Sequence, residues 1–378
     1  MKLSPARNGA PLLMKNRELE FTFWPMKRTS RRWGIHSMLY AADPWAVIAG
    51  CVNEQVTNTN ERRAATSWVR QAREYFLAAE RASAIEPRPL LYYYSFLNLG
   101  KAIAISRGRP DMVGKVTHGV GAASASGHAL SAAELTIGSS SSNRSKIQVV
   151  DELHRALEGR PVAAGQYPVR EIVAQSILAH RMWRDGFPNP RKERFITIDK
   201  IRLFHDDVAQ CVWARMYVRR DLLQARGRSL TETIREADLE TRFRAVVDPD
   251  PNTATTFYTL EQVTPVSYTG RASDVVMDVV ELLRTKLWET VTAAYPYRRF
   301  YLYLSPSGEK RMPQWLSVYS TLFWLGSLTR YQPVELLDAL DGPLGPFFRE
   351  FLESQPTQLL YIFASELKRQ DVTKAAIV

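Results

Sequence analysis

His118 and Gly119 could take part in acid–base chemistry, because they lie between a strongly apolar segment and one rich in Gly and Ser. The pKa of histidine is close to neutral, so its ring can serve as acid, base or ligand. Asn98 and Lys101 lie one helical turn apart in the preceding segment and could meet His118. A structural interpretation stays open, in which His118 holds the loop, Gly119 has a positive φ, and the two polar residues edge a core helix.

Arg31 and His36 form a second candidate catalytic pair with the spacing Arg-x4-His. HEPN ribonucleases use this spacing: the arginine stabilises charge that develops on a phosphate, and the histidine handles the proton. Such a motif would lie near a helix N-terminus, whereas here it falls in an irregular basic segment that contains Gly34. A solvated basic arm is therefore the alternative interpretation.

Residues 212–219 alternate in a way that predicts a half-buried strand. One face of it, together with the next residue, carries aromatic and guanidinium side chains: Trp213, Arg215, Tyr217, Arg219 and Arg220. On an exposed sheet such a face suits base stacking combined with phosphate contacts. The same side chains could instead cover the sheet or pack under a helix.

Basic residues exceed acidic ones and are concentrated in parts of the chain. The 378 residues include 50 Lys and Arg against 39 Asp and Glu, a net charge of +11. Eight basic and two acidic residues fall within 1–36, and further basic clusters lie at 181–194 and 215–244. This pattern predicts a polyanionic partner such as nucleic acid, or a protein partner; a solvated basic surface is the alternative.

Several classes of protein are excluded by composition and motif. The two cysteines, Cys51 and Cys211, cannot supply a disulfide framework or a zinc ribbon. No phosphate-binding loop, dinucleotide fingerprint or nucleophile elbow occurs. His205 and Asp206 loosely imitate a metal phosphohydrolase, but His205 ends a predicted strand, so we expect no metal site and no cofactor.

The sequence also predicts a chain outside the membrane. The uncharged run 312–329 contains Pro313, Gln314 and several Ser and Thr residues, so we interpret it as a buried helix that begins at Pro313. The first 36 residues lack the apolar stretch of a signal peptide. We therefore expect a cytoplasmic protein.

The elements that must position these residues indicate an α+β fold, predominantly α, with helical parts around a strand-rich middle. We expect four segments: an irregular basic segment at 1–60, a helical region at 61–190, a strand-rich region at 191–305 and a helical region at 306–378. The first helix should begin after Asn60. The second, about 90–106, is apolar nearly all round and should be central to the core. Residues 108–146 read as a mobile Gly/Ser loop.

Three short motifs resemble the YaaC-like family of bacterial proteins. They are PLLYYYSFLNLGKA at 89–102, THGV at 117–120 and SLTRYQP at 327–333, in that order. The residues that carry the resemblance are Tyr94, Asn98, Gly119, Arg330, Tyr331 and Pro333. The resemblance implies no particular reaction, and GAASASG stands where we expect a basic stretch after THGV.

Two functions follow from these observations. The first is a protein that binds nucleic acid or a protein partner through its basic surface. The second is a metal-independent, HEPN-type nuclease that uses His36 or His118 with nearby basic residues such as Arg31 and Lys101.

Overall fold

The computed structural model describes residues 3–14, 16–19, 21–24, 38–122, 130–188, 192–287, 291–293, 299–306 and 308–374. The longer helices lie in the first and last thirds of the chain, and most of the paired strands lie between them. The predicted class, α+β with helix predominant, is confirmed.

In the described residues the helices, in chain order, are α1 (Pro44–Gln55), α2 (Thr59–Arg81), α3 (Arg88–Ser106), α4 (Val149–Glu158), α5 (Val169–Val173), α6 (His180–Asp185), α7 (Arg220–Ala225), α8 (Leu230–Glu236), α9 (Pro251–Thr256), α10 (Val276–Leu287), α11 (Gln314–Tyr331), α12 (Pro333–Asp341) and α13 (Gly345–Lys368). Short 3-10 turns occupy Pro110–Val113 and Ala272–Val275.

The strands are β1 (Ser4–Pro5), β2 (Ala10–Pro11), β3 (Leu13–Met14), β4 (Arg17–Glu18), β5 (Met38–Tyr40), β6 (Val116–Thr117), β7 (Val120–Ala122), β8 (Glu134–Ile137), β9 (Ile147–Gln148), β10 (Gly165–Pro168), β11 (Phe195–Ile198), β12 (Lys200–Asp206), β13 (Cys211–Arg219), β14 (Phe243–Val247), β15 (Phe257–Gln262), β16 (Val266–Ser267), β17 (Val291–Ala293), β18 (Phe300–Tyr303) and β19 (Asp371–Thr373).

The chain divides into two compact units. The helical unit comprises Ala41–Arg191 and Met312–Lys368, and the sheet unit comprises Met1–Tyr40, Lys192–Arg311 and Arg369–Val378. Each unit therefore gathers segments that are distant in the sequence.

The helix α3 lies at the centre of the helical unit. It contacts α1, α2, α4, α11 and α13, and residues on every side of it are buried, among them Phe96, Leu97 and Ile103. An apolar helix that must be shielded all round is stable only inside such a shell of other helices. The predicted central role of this helix is confirmed.

The helix α11 is buried over nearly its whole length, as the uncharged run of the sequence indicates. Pro313 is its N-cap residue and so directly precedes the first helical position. Among the described helices, none combines the length and the apolar character that crossing a membrane would require.

One predicted helix boundary differs from the structure. Helix α2 begins at Thr59, because the side chain of Asn58, and not that of Asn60, accepts hydrogen bonds from the first free amides. Helix α13 begins at Gly345 and contains Pro356 in its interior.

The Gly/Ser-rich segment is partly ordered, contrary to expectation. In its described residues β7 pairs with β8, β8 pairs with β10, and β6 pairs with β9. The amide of Ser141 also donates to the carbonyl of Lys146. Pairing within the segment, and with β9 and β10 after it, supplies the hydrogen bonds that its own composition could not predict.

The sheet unit is built on a seven-stranded sheet with the order β1, β14, β15, β13, β12, β2, in which β16 also pairs with β13. Met216 of β13 lies between Ile201 of β12 and Leu260 of β15. A smaller sheet joins β11, β18 and β17. The strand β13 is therefore central to its sheet, and its residues are buried from Cys211 to Val218.

Candidate functional site

A cleft of about 620 Å³ opens in the helical unit, next to the loop between β6 and β7. It is lined by residues from several elements: Val116, Thr117, His118, Gly119, Val120, Gly121, Thr136, Gly138, Lys146, Gln148, Phe323 and Arg330. Among these residues two are cations and none is a carboxylate. The pocket thus unites two of the predicted motifs, the His-Gly motif and the arginine at the end of α11.

His118 is half-buried, and its Nδ1 atom lies 2.7 Å from the hydroxyl of Tyr93 on α3. Burial lowers the pKa of His118, and the positive charges of Lys101 and Arg330 lower it further. Burial also raises the pKa of Tyr93 far above its ordinary value. We therefore assign the tyrosine as the donor and Nδ1 of a neutral imidazole as the acceptor, which leaves the proton of the ring on Nε2.

Gly119 makes the path of the chain beside His118 achievable. Its φ is +87°, and a Cβ atom there would lie 3.0 Å from Cβ of Val150 and 3.1 Å from the amide of Val150. That amide donates to the carbonyl of His118 at 3.3 Å. A positive φ and this lack of space both favour glycine, so the loop is held against the first turn of α4.

Arg330 lies in the last turn of α11, and its side chain is exposed. Its guanidinium donates to the hydroxyl of Tyr94 and, at 2.6 Å, to that of Tyr331. Pro333 then begins α12. The motif residues Tyr94, Arg330 and Tyr331 therefore form one cluster at the edge of the pocket, and none of these contacts is with a carboxylate.

Lys101 and Asn98 do not line the pocket. The ammonium of Lys101 lies 5.6 Å from the ring centre of Trp68, and the amide of Asn98 donates to Gln71 at 3.4 Å. Lys101 still influences the site, because its charge lowers the pKa of His118. Burial in turn lowers the pKa of Lys101, with no opposing effect from a carboxylate.

Tyr93, Lys146 and Gln148 are site residues that the sequence analysis missed. Gln148 accepts a hydrogen bond of 2.5 Å from the hydroxyl of Thr117, and its side chain lies over Gly138. Tyr93 stands in a run of three tyrosines, and that run is the one signal that could have drawn attention to it. Lys146 follows a Ser-rich stretch and carries no local sign of its role.

The expected exposed face on β13 is wrong. Trp213, Arg215 and Tyr217 are 0%, 1% and 2% exposed. All residues of β13 except the last, Arg219, are buried, so side chains on both faces of the strand are covered. Trp213 packs with Phe204 against the backbone near Gly9, where a Cβ atom would overlap its ring.

Arg215 is held by an internal partner. Its Nε atom donates to Glu261 at 3.0 Å, and Glu261 is itself fully buried. The two arginines that end the strand have partners as well: Arg219 binds Asp221, and Arg220 donates to the carbonyl of Phe257 while lying 4.2 Å from the ring centre of Tyr258. The buried rings of Trp213 and Tyr217 therefore leave no surface on this strand for base stacking.

Arg31 and His36, the second predicted catalytic pair, lie outside the described residues. Within the described chain there is no group of three or more His, Cys, Asp and Glu residues that could hold a metal ion. The pocket itself carries hydrogen-bond donors and positive charge, which are features of an anion site.

Comparisons with known proteins bear on the origin of this site. No curated protein matches the chain, and no solved structure matches it. The family model described as YaaC-like Protein matches residues 24–367, a span that includes α3, His118 and Arg330. The chain belongs to the YaaC-like protein family.

Proposed function

We propose that the protein binds a phosphate-bearing ligand in the pocket of His118, Lys146 and Arg330. The observation that carries this proposal is positive charge without a neutralising acid: two cations and no carboxylate are found among the lining residues. A third cation, Lys101, is near enough to lower the pKa of His118. A bound anion would neutralise this charge, and charge-assisted hydrogen bonds would hold it.

Three buried arginines of the protein are paired with carboxylates, unlike the exposed Arg330. Arg194 binds Glu309, Arg215 binds Glu261 and Arg228 binds Glu236. In contrast, the described partners of Arg330 are two tyrosine hydroxyls. Its guanidinium keeps donors available, and a planar fork of donors suits a phosphate better than the point charge of a lysine does.

The neutral state of His118 supports a role in binding. With Nδ1 occupied by Tyr93, the Nε2–H group is left as a donor for an oxygen of the ligand. Thr117 is exposed beside it, and nothing lies within 4 Å of the place where a side chain would begin at Gly121, so the backbone there is open to the cleft. These groups would surround a phosphate with donors from several sides.

Isothermal titration calorimetry with pyrophosphate tests the proposal. We expect the wild-type chain to bind, and we expect Arg330→Gln to weaken binding by about 10- to 100-fold, as is usual for loss of a charged hydrogen bond. The matched control is Arg349→Gln, which removes the same charge from an exposed residue of α13 that binds Asp341. Equal losses in both variants, or no binding to the wild type, would exclude the pocket as the site.

The predicted alternative, a metal-independent nuclease, can be tested on the same pocket. A labelled single-stranded RNA is incubated with the wild-type chain and with His118→Asn in the presence of a chelator. Because the assigned proton on Nε2 makes the ring a donor and not a base, we expect RNA to remain intact with both. Cleavage that requires His118 would establish the alternative.

A further inference from the structure

The helices α2 and α3 share a surface made of three successive pairs of side chains. The two helices run in opposite directions here, and on each of them the paired residues are spaced by four and then three positions. The pairs are Tyr75 with Tyr94, Gln71 with Asn98, and Trp68 with Lys101. The first pair has ring centres 5.8 Å apart, the second has a hydrogen bond of 3.4 Å, and the third has the ammonium 5.6 Å from the indole centre. We refer to these six residues as the α2–α3 ladder.

Two residues of the ladder, Tyr94 and Lys101, lie where α3 reaches the surface, and Asn98 between them is buried. Most residues of this helix are buried, yet Tyr94 and Lys101 are partly exposed. Across from them on α2, Tyr75 is 38% exposed and Gln71 is exposed as well.

The ladder adjoins the pocket at Tyr94. The guanidinium of Arg330 lies 5.8 Å from the ring centre of Tyr94 and 4.6 Å from that of Tyr331, which is 69% exposed. The neighbouring residue of α3, Tyr93, binds His118. Rings, amides and cations thus continue from the ladder to the phosphate pocket inside the helical unit.

The chemistry of this surface suits a chain of bases. Aromatic rings stack on bases of any sequence, cations contact the backbone, and amides can bond to base edges. With a rise of 1.5 Å per residue, Tyr94 and Lys101 are about 10 Å apart along α3. That length corresponds to about three stacked nucleotides at roughly 3.4 Å each.

We infer that the α2–α3 ladder binds a single-stranded polynucleotide whose bases lie on its rings and one of whose phosphates enters the pocket. The inference rests on the proposed phosphate site and names the class of its ligand. A lone nucleotide would fill the pocket but leave most of the ladder unused. A polynucleotide uses both, because its charge repeats along the same direction as its bases.

Fluorescence anisotropy with the full chain and labelled ten-residue oligo-dT and oligo-U tests the ladder. We expect Trp68→Leu and Tyr75→Leu each to weaken binding by about 5- to 150-fold at every salt concentration, the effect of one lost stacked base. Lys101→Gln should reduce the slope of log affinity against log salt by about 0.7. The control is Tyr40→Leu, which removes a tyrosine that is 58% exposed in the sheet unit.

Pyrophosphate titration of the same variants separates this inference from the proposed function. We expect Trp68→Leu and Tyr75→Leu to bind pyrophosphate as the wild type does, which also shows that they are folded. If Trp68→Leu and Tyr75→Leu bind the oligonucleotides as tightly as Tyr40→Leu does, the ladder is not the binding surface, although the proposed phosphate site would be unaffected. If the ladder variants have a lower oligonucleotide affinity and the wild type does not bind pyrophosphate, the result would support the ladder as a binding surface and exclude the pocket as a phosphate site. A wild type that binds no oligonucleotide would overturn the inference and favour a protein partner.

Discussion

Tyr93 determines the tautomer in which the neutral His118 meets a ligand. Its hydroxyl lies 2.7 Å from Nδ1, and its own ring packs against Tyr319 and Phe323 with centre distances of 5.5 and 5.3 Å. Because these contacts hold the tyrosine in place, they also orient the imidazole. The role of Tyr93 is therefore one of positioning, since it acts on a ligand through His118.

We expect the pKa of His118 to depend on whether an anion is bound next to it. In the free protein burial and two nearby cations lower its pKa below the ordinary value near 6.5. Sulfate keeps its charge between pH 5 and 8, and as a bound anion it should favour the protonated ring and raise the pKa. By linkage, sulfate binding should tighten as the pH falls.

Nuclear magnetic resonance of the histidine side chains measures both effects. The spectrum of the free protein should show the tautomer with the proton on Nε2, and Tyr93→Phe should populate both tautomers. His205, which binds Asp207 in the sheet unit, is an internal control whose signal should not respond to sulfate. A pKa of His118 that stays the same with saturating sulfate would contradict an anion site next to this ring.

At the scale of elements, α3 connects the core to the site. Successive residues of a helix point about 100° apart, so three consecutive tyrosines point in three directions. The ring of Tyr92 packs on Phe76 at 5.1 Å, Tyr93 reaches His118, and Tyr94 reaches Arg330. The same helix therefore supplies a core contact, a positioning contact and a surface contact.

We expect a cavity in the packing of α3 to lower the free energy of unfolding substantially. Leu97 is 3% exposed, so Leu97→Ala should lower the free energy of unfolding by about 2–5 kcal/mol through loss of buried surface and formation of a cavity. The control is Leu337→Ala on α12, where the side chain is 46% exposed and the expected loss is about 0.5 kcal/mol. Chemical denaturation measures both, and similar losses would show that α3 is not the central support.

At the scale of the whole molecule, the net charge of +11 is unevenly neutralised. Buried arginines such as Arg194, Arg215 and Arg228 are bound to carboxylates, so their charge is balanced locally. At the pocket, Lys146 and Arg330 meet no lining carboxylate. The number of basic residues in a segment therefore says little about where a polyanion would bind.

We expect Arg215 to contribute to the stability of the protein and not to anion binding. The buried Glu261 also binds Arg244 and Arg7, so it keeps two cations when Arg215 is removed. Arg215→Ala should therefore lower the free energy of unfolding by about 1.5–3 kcal/mol, the effect of one lost charged hydrogen bond, while pyrophosphate affinity stays unchanged. If this variant does not fold, Arg215→Lys keeps the charge and should be destabilised less. Denaturation and calorimetry measure the two quantities. A loss of pyrophosphate affinity in a folded variant would mean that β13 contributes to binding.

The sequence by itself determined the features that depend on local patterns. Periodicities of 3.6 and 2 residues indicate the helix predominance and the strand β13. The long apolar runs without a polar face indicate the buried helices α3 and α11. The three family motifs were likewise visible, because they are short and lie in order along the chain. These properties need only neighbours within a few residues.

Only the tertiary structure decided which of these residues face a cleft and which are covered. The alternation on β13 shows which side chains share a face, but it cannot show that the residues around Gly9 and the strand β12 cover Trp213. His118 and Arg330 meet only because α11 packs on α3, more than two hundred residues along the chain. Contacts at such separations depend on the packing of whole elements, so no local pattern of residues encodes them.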